Sequence, residues 1–481
     1  MKVNMFSNFM KKVFPEFMVL LLIILILLTM NSCTFADRIN SRGDISHEAG
    51  EIGIPTNGNG NEINETGNRN GNGGEDVTGK NCPNGSNDGE KQPDEIGGEK
   101  NTASKGLVDE LLENMTLEEK VGQLFYICFR KDAAGNDVTM LTDHIAEILK
   151  KFTPGGVILF SENIKNPSQT VAFIDALQKN SGIPLFIGVD EEGGTVSRLN
   201  ASPDMHATPL PGNLAIGHTG DRELAYEAGK VIGEELCSLG FNMNFAPVAD
   251  ILTNSENQVI GSRSFGSDPK LVGEMVEMMI KGLQESHMAT VIKHFPGHGD
   301  TRLDSHTGEV IVEHGIDRLR KMEFIPFEYG IRAGTDAVMT AHIKLPNVTD
   351  DGLPASLSPY INFDILREEL KFNGLIITDA LDMGAVARYW EPGEAALLAV
   401  KGGADMVLMP LSLEEAYNAI LEEAQNGGIP LERIDKSVRR ILTVKERLGI
   451  LTNERSRPDP EITLGNREHL EIAKSIREWQ K

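Results

Sequence analysis

Residues 268–295 read DPKLVGEMVEMMIKGLQESHMATVIKHF. The first part, 268–287, places apolar residues at helical spacing. A short apolar run follows, 290–295, and it closes on Lys293 and His294. A helix that feeds a wholly apolar run is the unit of a parallel sheet, whose strands are buried on both faces. The unit recurs in both directions. The runs LFYICF (124–129), GGVILF (155–160), LFIGVD (185–190) and FNMNFAPVAD (241–250) precede it. AVMTAHI (337–343), LIITDA (375–380) and ADMVLM (404–409) follow it. Helical patterns lie between or after them, among them DRELAYEAGKVIGEELCSLG (221–240), PYINFDILREEL (359–370), LEEAYNAILEEAQNG (413–427) and ERIDKSVRRILTVKERLG (432–449).

Eight runs, each followed by at least one helix, predict an α/β fold, a single (β/α)8 barrel of TIM type. An open doubly wound sheet is the alternative. No G-x-G-x-x-G or P-loop opens any of these helices, so a nucleotide fold has no supporting signature. The barrel begins near residue 105, where LVDELLENMTLEEKVGQLF (107–125) sets Leu107, Leu111 and Leu112 at helical spacing. In the same stretch Thr116 and Glu119 form a T-x-x-E capping box. The barrel is expected to close near residue 455, with 456–481 as a C-terminal extension.

A buried parallel strand has no use for polar residues, so those at the ends of the runs need a reason. Asp190, Asp250, Lys293, His294, His342 and Asp379 all fall there. In a barrel these ends form one face, where active sites are built. Any one of them can be a helix cap or a satisfied core group; six together point to a site.

The segment KHFPGHGDTRLDSH (293–306) is the densest in polar residues. His294, His298, Asp300, Asp304 and His306 could supply metal ligands. Asp304 and His306, two apart in an extended loop, could instead be a carboxylate–imidazole acid/base pair. The G-H-G-D stretch could also be a decorated turn. The residue types alone leave these three readings open.

The segment resembles the signature of glycoside hydrolase family 3, in its bacterial β-N-acetylglucosaminidase branch. DEEGGTVSRL (190–199), VIGSRSFGSDP (259–269) and LIITDALDMGAV (375–386) carry the same resemblance, and FAPVADI and MTAHI fit it. It spans about residues 107–451. The resemblance implies a retaining mechanism with Asp379 as nucleophile; Asp382, three residues on, is the nearest alternative. It implies a His306–Asp304 acid/base dyad, with no metal and no cofactor. It also implies substrate contacts from Asp190, Arg198, Arg263, Lys293 and His294. Glu191 and Glu192 are the alternative acids in a carboxylate-pair scheme.

The remaining sequence bears on partners and location. The formal charge of −25 argues against nucleic acid, which needs a Lys/Arg-rich surface. Four scattered cysteines without a C-x-x-C pair indicate neither a disulfide framework nor a thiolate zinc site. Lys2, Lys11 and Lys12 precede the apolar run FMVLLLIILILLTM (17–30), which ends at Asn31-Ser32-Cys33. This resembles a lipoprotein signal segment (1–33) with Cys33 as the lipidated residue; an uncleaved anchor is the alternative. Residues 34–104 are poor in large apolar side chains, with almost none in NGNGNEINETGNRNGNGGEDVTGKNCPNGSNDGE at 57–90, and are expected to form a disordered linker.

The expected protein is an exported, membrane-anchored enzyme that removes terminal β-linked N-acetylhexosamine from cell-wall fragments or chitin oligomers. A β-glycoside phosphorylase of the same fold and a non-catalytic sugar-binding lipoprotein are the alternatives.

Overall fold

The computed structural model describes residues 106–301, 305, 308–452 and 455–479. The expected signal segment with Cys33 and the linker 34–104 lie outside the described residues, as do Asp304 and His306.

Eight parallel strands form the barrel: β1 (Phe125–Cys128), β2 (Gly156–Ile158), β3 (Phe186–Val189), β4 (Met243–Asn244), β5 (Ala289–Phe295), β6 (Ala337–Thr340), β7 (Leu375–Thr378) and β8 (Val407–Leu408). They pair in the order β8-β1-β2-β3-β4-β5-β6-β7. A parallel bridge between Ile377 and Met406 nearly completes the ring between β7 and β8. Each of the eight apolar runs in the sequence contains one strand. The run 241–250 pairs regularly only at Met243–Asn244. Beyond that it rejoins β5 through a Val248–Lys293 bridge. Pro247 has no N–H to give a continuous ladder.

Helices pack outside the ring because their apolar stripes have nowhere else to go. The helix Pro269–Glu285, read from the opening stretch, starts on an Asp268 side-chain cap and buries Val272, Met275, Val276, Met279 and Leu283. The Thr116–Glu119 capping box forms as read. The segment Tyr360–Glu369 is a π-helix. Arg467–Glu478, in the C-terminal extension, is a further helix packed against Arg222–Leu239.

Side chains fill the barrel interior. Tyr126 stacks on Phe186 at 6.5 Å between ring centroids and meets Phe245 edge-on at 5.2 Å. Gly156 and Gly188 make room for it, since a Cβ at either would collide with the Tyr126 side chain. Lys445 lies at the N-terminal end of the strands. It is fully buried, donates to Gln123 Oε1 at 2.8 Å and sits 5.1 Å from the Phe186 ring centroid.

Candidate active site

A cavity of about 430 Å³ opens at the C-terminal end of the strands. That lies within the range of about 300–1,000 Å³ usual for small-molecule sites. Asp190 directly follows β3, Asp379 directly follows β7, and Lys293 and His294 belong to β5. All four line the cavity, together with Arg198 and Arg263. Lys293 and His294 are neighbours in one strand, where alternation would send them to opposite faces. The pairing of β5 with β6 shifts register between Ile292 and Phe295, and the irregularity lets both reach the same space.

One wall is an ion-paired lattice. Lys293 Nζ lies 2.5 Å from Asp190 Oδ1 and 2.7 Å from Glu192 Oε1. Arg263 grips Glu192 with two parallel bonds, Nε to Oε2 and Nη2 to Oε1, both 2.8 Å. Arg198 Nη2 lies 3.6 Å from Asp190 Oδ2. Burial raises the Glu192 carboxyl, but the Lys293 and Arg263 charges outweigh it and hold the group well below the usual carboxylate range. Lys293 carries three donors, and two are committed to these carboxylates. One remains for a ligand oxygen. Asp190 can accept from neighbouring hydroxyls of one ligand, because its second oxygen is only loosely held by Arg198.

Asp250 organises the next wall without lining the cavity. Its Oδ2 lies 2.7 Å from His294 Nδ1, and its Oδ1 accepts from the backbone N–H of His294 at 3.2 Å and of His298 at 2.6 Å. A carboxylate at Nδ1 fixes a proton there and leaves Nε2 as an acceptor. Nε2 lies 3.4 Å from Arg263 Nη2, consistent with that tautomer. Burial raises the Asp250 carboxyl, yet His294 and the other bonds bring it below its ordinary value. His298 Nδ1 meets Thr301 Oγ1 at 2.8 Å, and its Nε2 meets Ser305 Oγ at 3.2 Å. Burial, with His294 close by, pushes the His298 imidazole down.

Asp379 leaves β7 with its backbone N–H on Thr340 O at 2.9 Å, and its Oδ1 accepts from Ala380 N at 2.8 Å. Its side chain is partly exposed to the cavity. Asp382 also lines the cavity and is more exposed. His342, read from sequence as part of the mouth, does not line the cavity. Its Nε2 donates to Ala380 O at 2.9 Å and its Nδ1 meets Ser356 Oγ at 2.7 Å, so it pins the turn that follows Asp379.

The adjacent glutamates take opposite directions. Glu192 lines the cavity inside the lattice. Glu191 turns away and accepts from the N–H groups of Arg198 and Leu199 at 2.7 and 3.0 Å. Burial pushes its carboxyl up to about 7. The role of Glu192 as partner to two cations was not read from sequence, nor was the hold of Asp250 on His294. Arg130 and Phe160 also line the cavity, with the guanidinium 4.6 Å from the ring centroid. Neither stands at a strand end in a polar motif, so no pattern marked them. Ser305, which separates Asp304 from His306 in sequence, lines the cavity.

Fold and cavity place the chain among (β/α)8 barrels with a polar ligand pocket at the strand C-termini. The glycosyl hydrolase family 3 N-terminal domain matches residues 116–444, and the chain belongs to glycosyl hydrolase family 3. β-Hexosaminidase A of Pseudoalteromonas piscicida is 34% identical over 392 residues, which cover 74% of this chain and 65% of that protein. The chain thus spans a little under two thirds of that relative's length. β-Hexosaminidase of Hydrogenovibrio crunogenus is 34% identical over 316 residues, 64% of this chain and 86% of that one. Among solved structures, a family 3 β-N-acetylglucosaminidase from a Paenibacillus species is 39% identical with a TM-score of 0.71, covering 76% of this chain and 69% of its own. A β-glucoside phosphorylase is 29% identical with a TM-score of 0.69, covering 77% and 66%.

Proposed function

We propose that the chain is a retaining, exo-acting glycoside hydrolase that releases terminal β-linked N-acetylhexosamine. The observation that carries this reading is Asp379, a carboxylate directly after β7 that shares a sugar-sized cavity with the Lys293–Asp190–Arg198 wall. The names of the relatives supply the N-acetylhexosamine class. Asp190, Arg198, Lys293 and His294 hold the hydroxyl and N-acetyl oxygens of the terminal sugar. Arg263 keeps Glu192 and Lys293 in register beneath them.

Asp379 attacks the anomeric carbon. The glycosidic C–O bond breaks as a glycosyl ester forms, and His306 gives its proton to the departing oxygen. His306 then takes a proton from water, whose oxygen attacks the same carbon and frees the Asp379 carboxylate. Asp304 orients the imidazole and stabilises its charged form. The geometry of the glutamates supports the dyad. Glu192 is held ionised and has no proton to give, and Glu191 faces away from the cavity. Ser305, between the two dyad residues in sequence, is on the cavity wall.

The test is His306→Ala on two substrates. Turnover of a natural disaccharide should fall by about 10²–10⁴-fold, the scale of general acid–base catalysis. An aryl substrate with a good leaving group should lose less, and azide should restore its turnover. Equal loss on both, without azide rescue, contradicts the dyad.

A second reading is favoured by the phosphorylase neighbour. An imidazole acid/base tolerates an anionic acceptor, so phosphate could take the place of water. Product analysis with and without phosphate separates sugar phosphate from free sugar. Turnover of any chromogenic N-acetylhexosaminide excludes a mere sugar-binding protein. For location, we propose export and lipid attachment at Cys33, with cell-wall fragments or chitin oligomers as substrates. Cys33→Ala should then move the protein out of the membrane fraction.

A further inference from the structure

We infer that the C-terminal extension is a positioning device for the cavity: His469, through Glu235 and Thr208, holds the loop after β3 so that Arg198 reaches the sugar. This rests on Arg198 as a substrate-binding group. The extension lies beyond residues 116–444, the part matched by the family.

His469 stands in the first turn of the helix Arg467–Glu478, whose N-cap is Asn466. It is 3% exposed. Its Nδ1 lies 3.1 Å from Glu235 Oε1 and its Nε2 2.9 Å from Glu234 Oε2. A ring with a carboxylate at each nitrogen acts as a double donor. Glu235 is buried too. Beyond His469 it accepts from Gly465 N at 2.9 Å, from Thr208 Oγ1 at 2.6 Å and from Thr208 N at 3.1 Å. One carboxylate therefore ties the extension to the β3 loop.

The path continues to the cavity. Thr208 O accepts from Asn200 Nδ2 at 3.2 Å, and the same amide donates to Ser197 Oγ at 2.9 Å. Ser197 is the neighbour of Arg198. The extension grips the loop at two more points. Arg477 donates to Pro209 O, and Gly465 packs so tightly on His206 O that a Cβ would collide with it. The loop in turn holds the Glu191–Gly194 turn, since Gly194 N donates to Leu210 O at 3.0 Å. A tail that only covered apolar surface would have no use for a buried carboxylate. Removing one partner of such a pair leaves an uncompensated charge, so the pair fixes one arrangement of the loop.

The experiment uses the full chain and an aryl N-acetylglucosaminide. His469→Ala should raise KM about tenfold, the scale of one misplaced charge-assisted hydrogen bond, while kcat stays unchanged. Asn200→Ala, which cuts the path nearer the cavity, should move KM in the same direction. His469→Asn, whose amide nitrogen stands where Nδ1 does and so keeps one donor for Glu235, should recover part of the loss. In an Arg198→Ala background neither change should raise KM further, because coupled residues do not add. The proposal is overturned if His469→Ala and Asn200→Ala lower only the melting temperature. It is also overturned alone if their KM effects persist in full in the Arg198→Ala background. An Arg198→Ala enzyme with unchanged KM overturns it together with the role of Arg198. Should His469→Ala fail to fold, Asn200→Ala with and without Arg198→Ala decides the same question.

Discussion

Both ends of the barrel bury charge, and they use it differently. At the N-terminal end Asp405 is wholly buried against Arg367, Arg433 and Arg440. It also accepts from Ser437 Oγ and from the Ile376 N–H. The guanidinium groups of Arg367 and Arg433 give other donors to the carbonyls of Phe372, Gly374, Val400 and Ala404. These charges are spent on the chain itself and knit helices to strand ends. At the C-terminal end Lys293, Arg263, Asp190 and Glu192 are paired as closely, but they line a cavity. Lys293 keeps a donor, and Asp190 keeps an acceptor, for something that enters. Buried charge by itself marks architecture as readily as chemistry. What separates the two ends is whether any bonding capacity still faces open space.

Two substitutions put this contrast to the test. Asp379→Asn should lower kcat on the order of 10⁴–10⁶-fold, as loss of a nucleophile does, and should melt with the parent protein. Asp405→Asn should do the reverse. It should cost about 3–5 kcal/mol in denaturant titration, the range for breaking a buried ion pair, while kcat/KM of the folded enzyme stays at the parent value. An Asp405 variant that is stable but slow, or an Asp379 variant that is active but unstable, would collapse the distinction.

A pH-dependent effect comes from Lys445 at the same N-terminal end. Burial pushes its ammonium down to about 7. The unfolded chain keeps that proton up to the ordinary lysine range, so between these values the unfolded state binds more protons than the folded one. Stability should therefore rise as pH increases from about 7 toward 10. Below 7 both states carry the charge and this contribution is flat. Lys445→Met should remove the rise and be more stable than the parent at pH 6.5. Denaturant curves at pH 6.5 and 9.5 for the two proteins check the sign.

The fold was legible because parallel strands buried on both faces appear as unbroken apolar runs, such as LFIGVD and LIITDA. The polar residues that break them at one end marked the mouth, and Asp190, Lys293, His294 and Asp379 meet there. Other parts were hidden. Glu191 and Glu192 are adjacent and identical in type, and only the turn after β3 decides that one faces the cavity and the other backs the Arg198 turn. Asp250 and His342 carried the same strand-end mark as Asp379, yet they serve as supports. Strand-end position selects the face of the barrel. Whether a side chain there meets ligand or another side chain depends on packing across loops far apart in sequence. The bond between His469 and Glu235 spans 234 residues, and no local pattern encodes it.

As the proposed nucleophile, Asp379 should form a covalent bond to the sugar. An activated 2-deoxy-2-fluoro glycoside slows formation and breakdown of the intermediate, because fluorine destabilises the oxocarbenium-like transition state. Incubation followed by trypsin should give a modified peptide 372–388, which contains both Asp379 and Asp382. Fragmentation of that peptide by mass spectrometry should place the adduct on Asp379. An adduct on Asp382 or on Glu192, or full turnover of the probe with no adduct at any time point, would rule out Asp379 as the nucleophile.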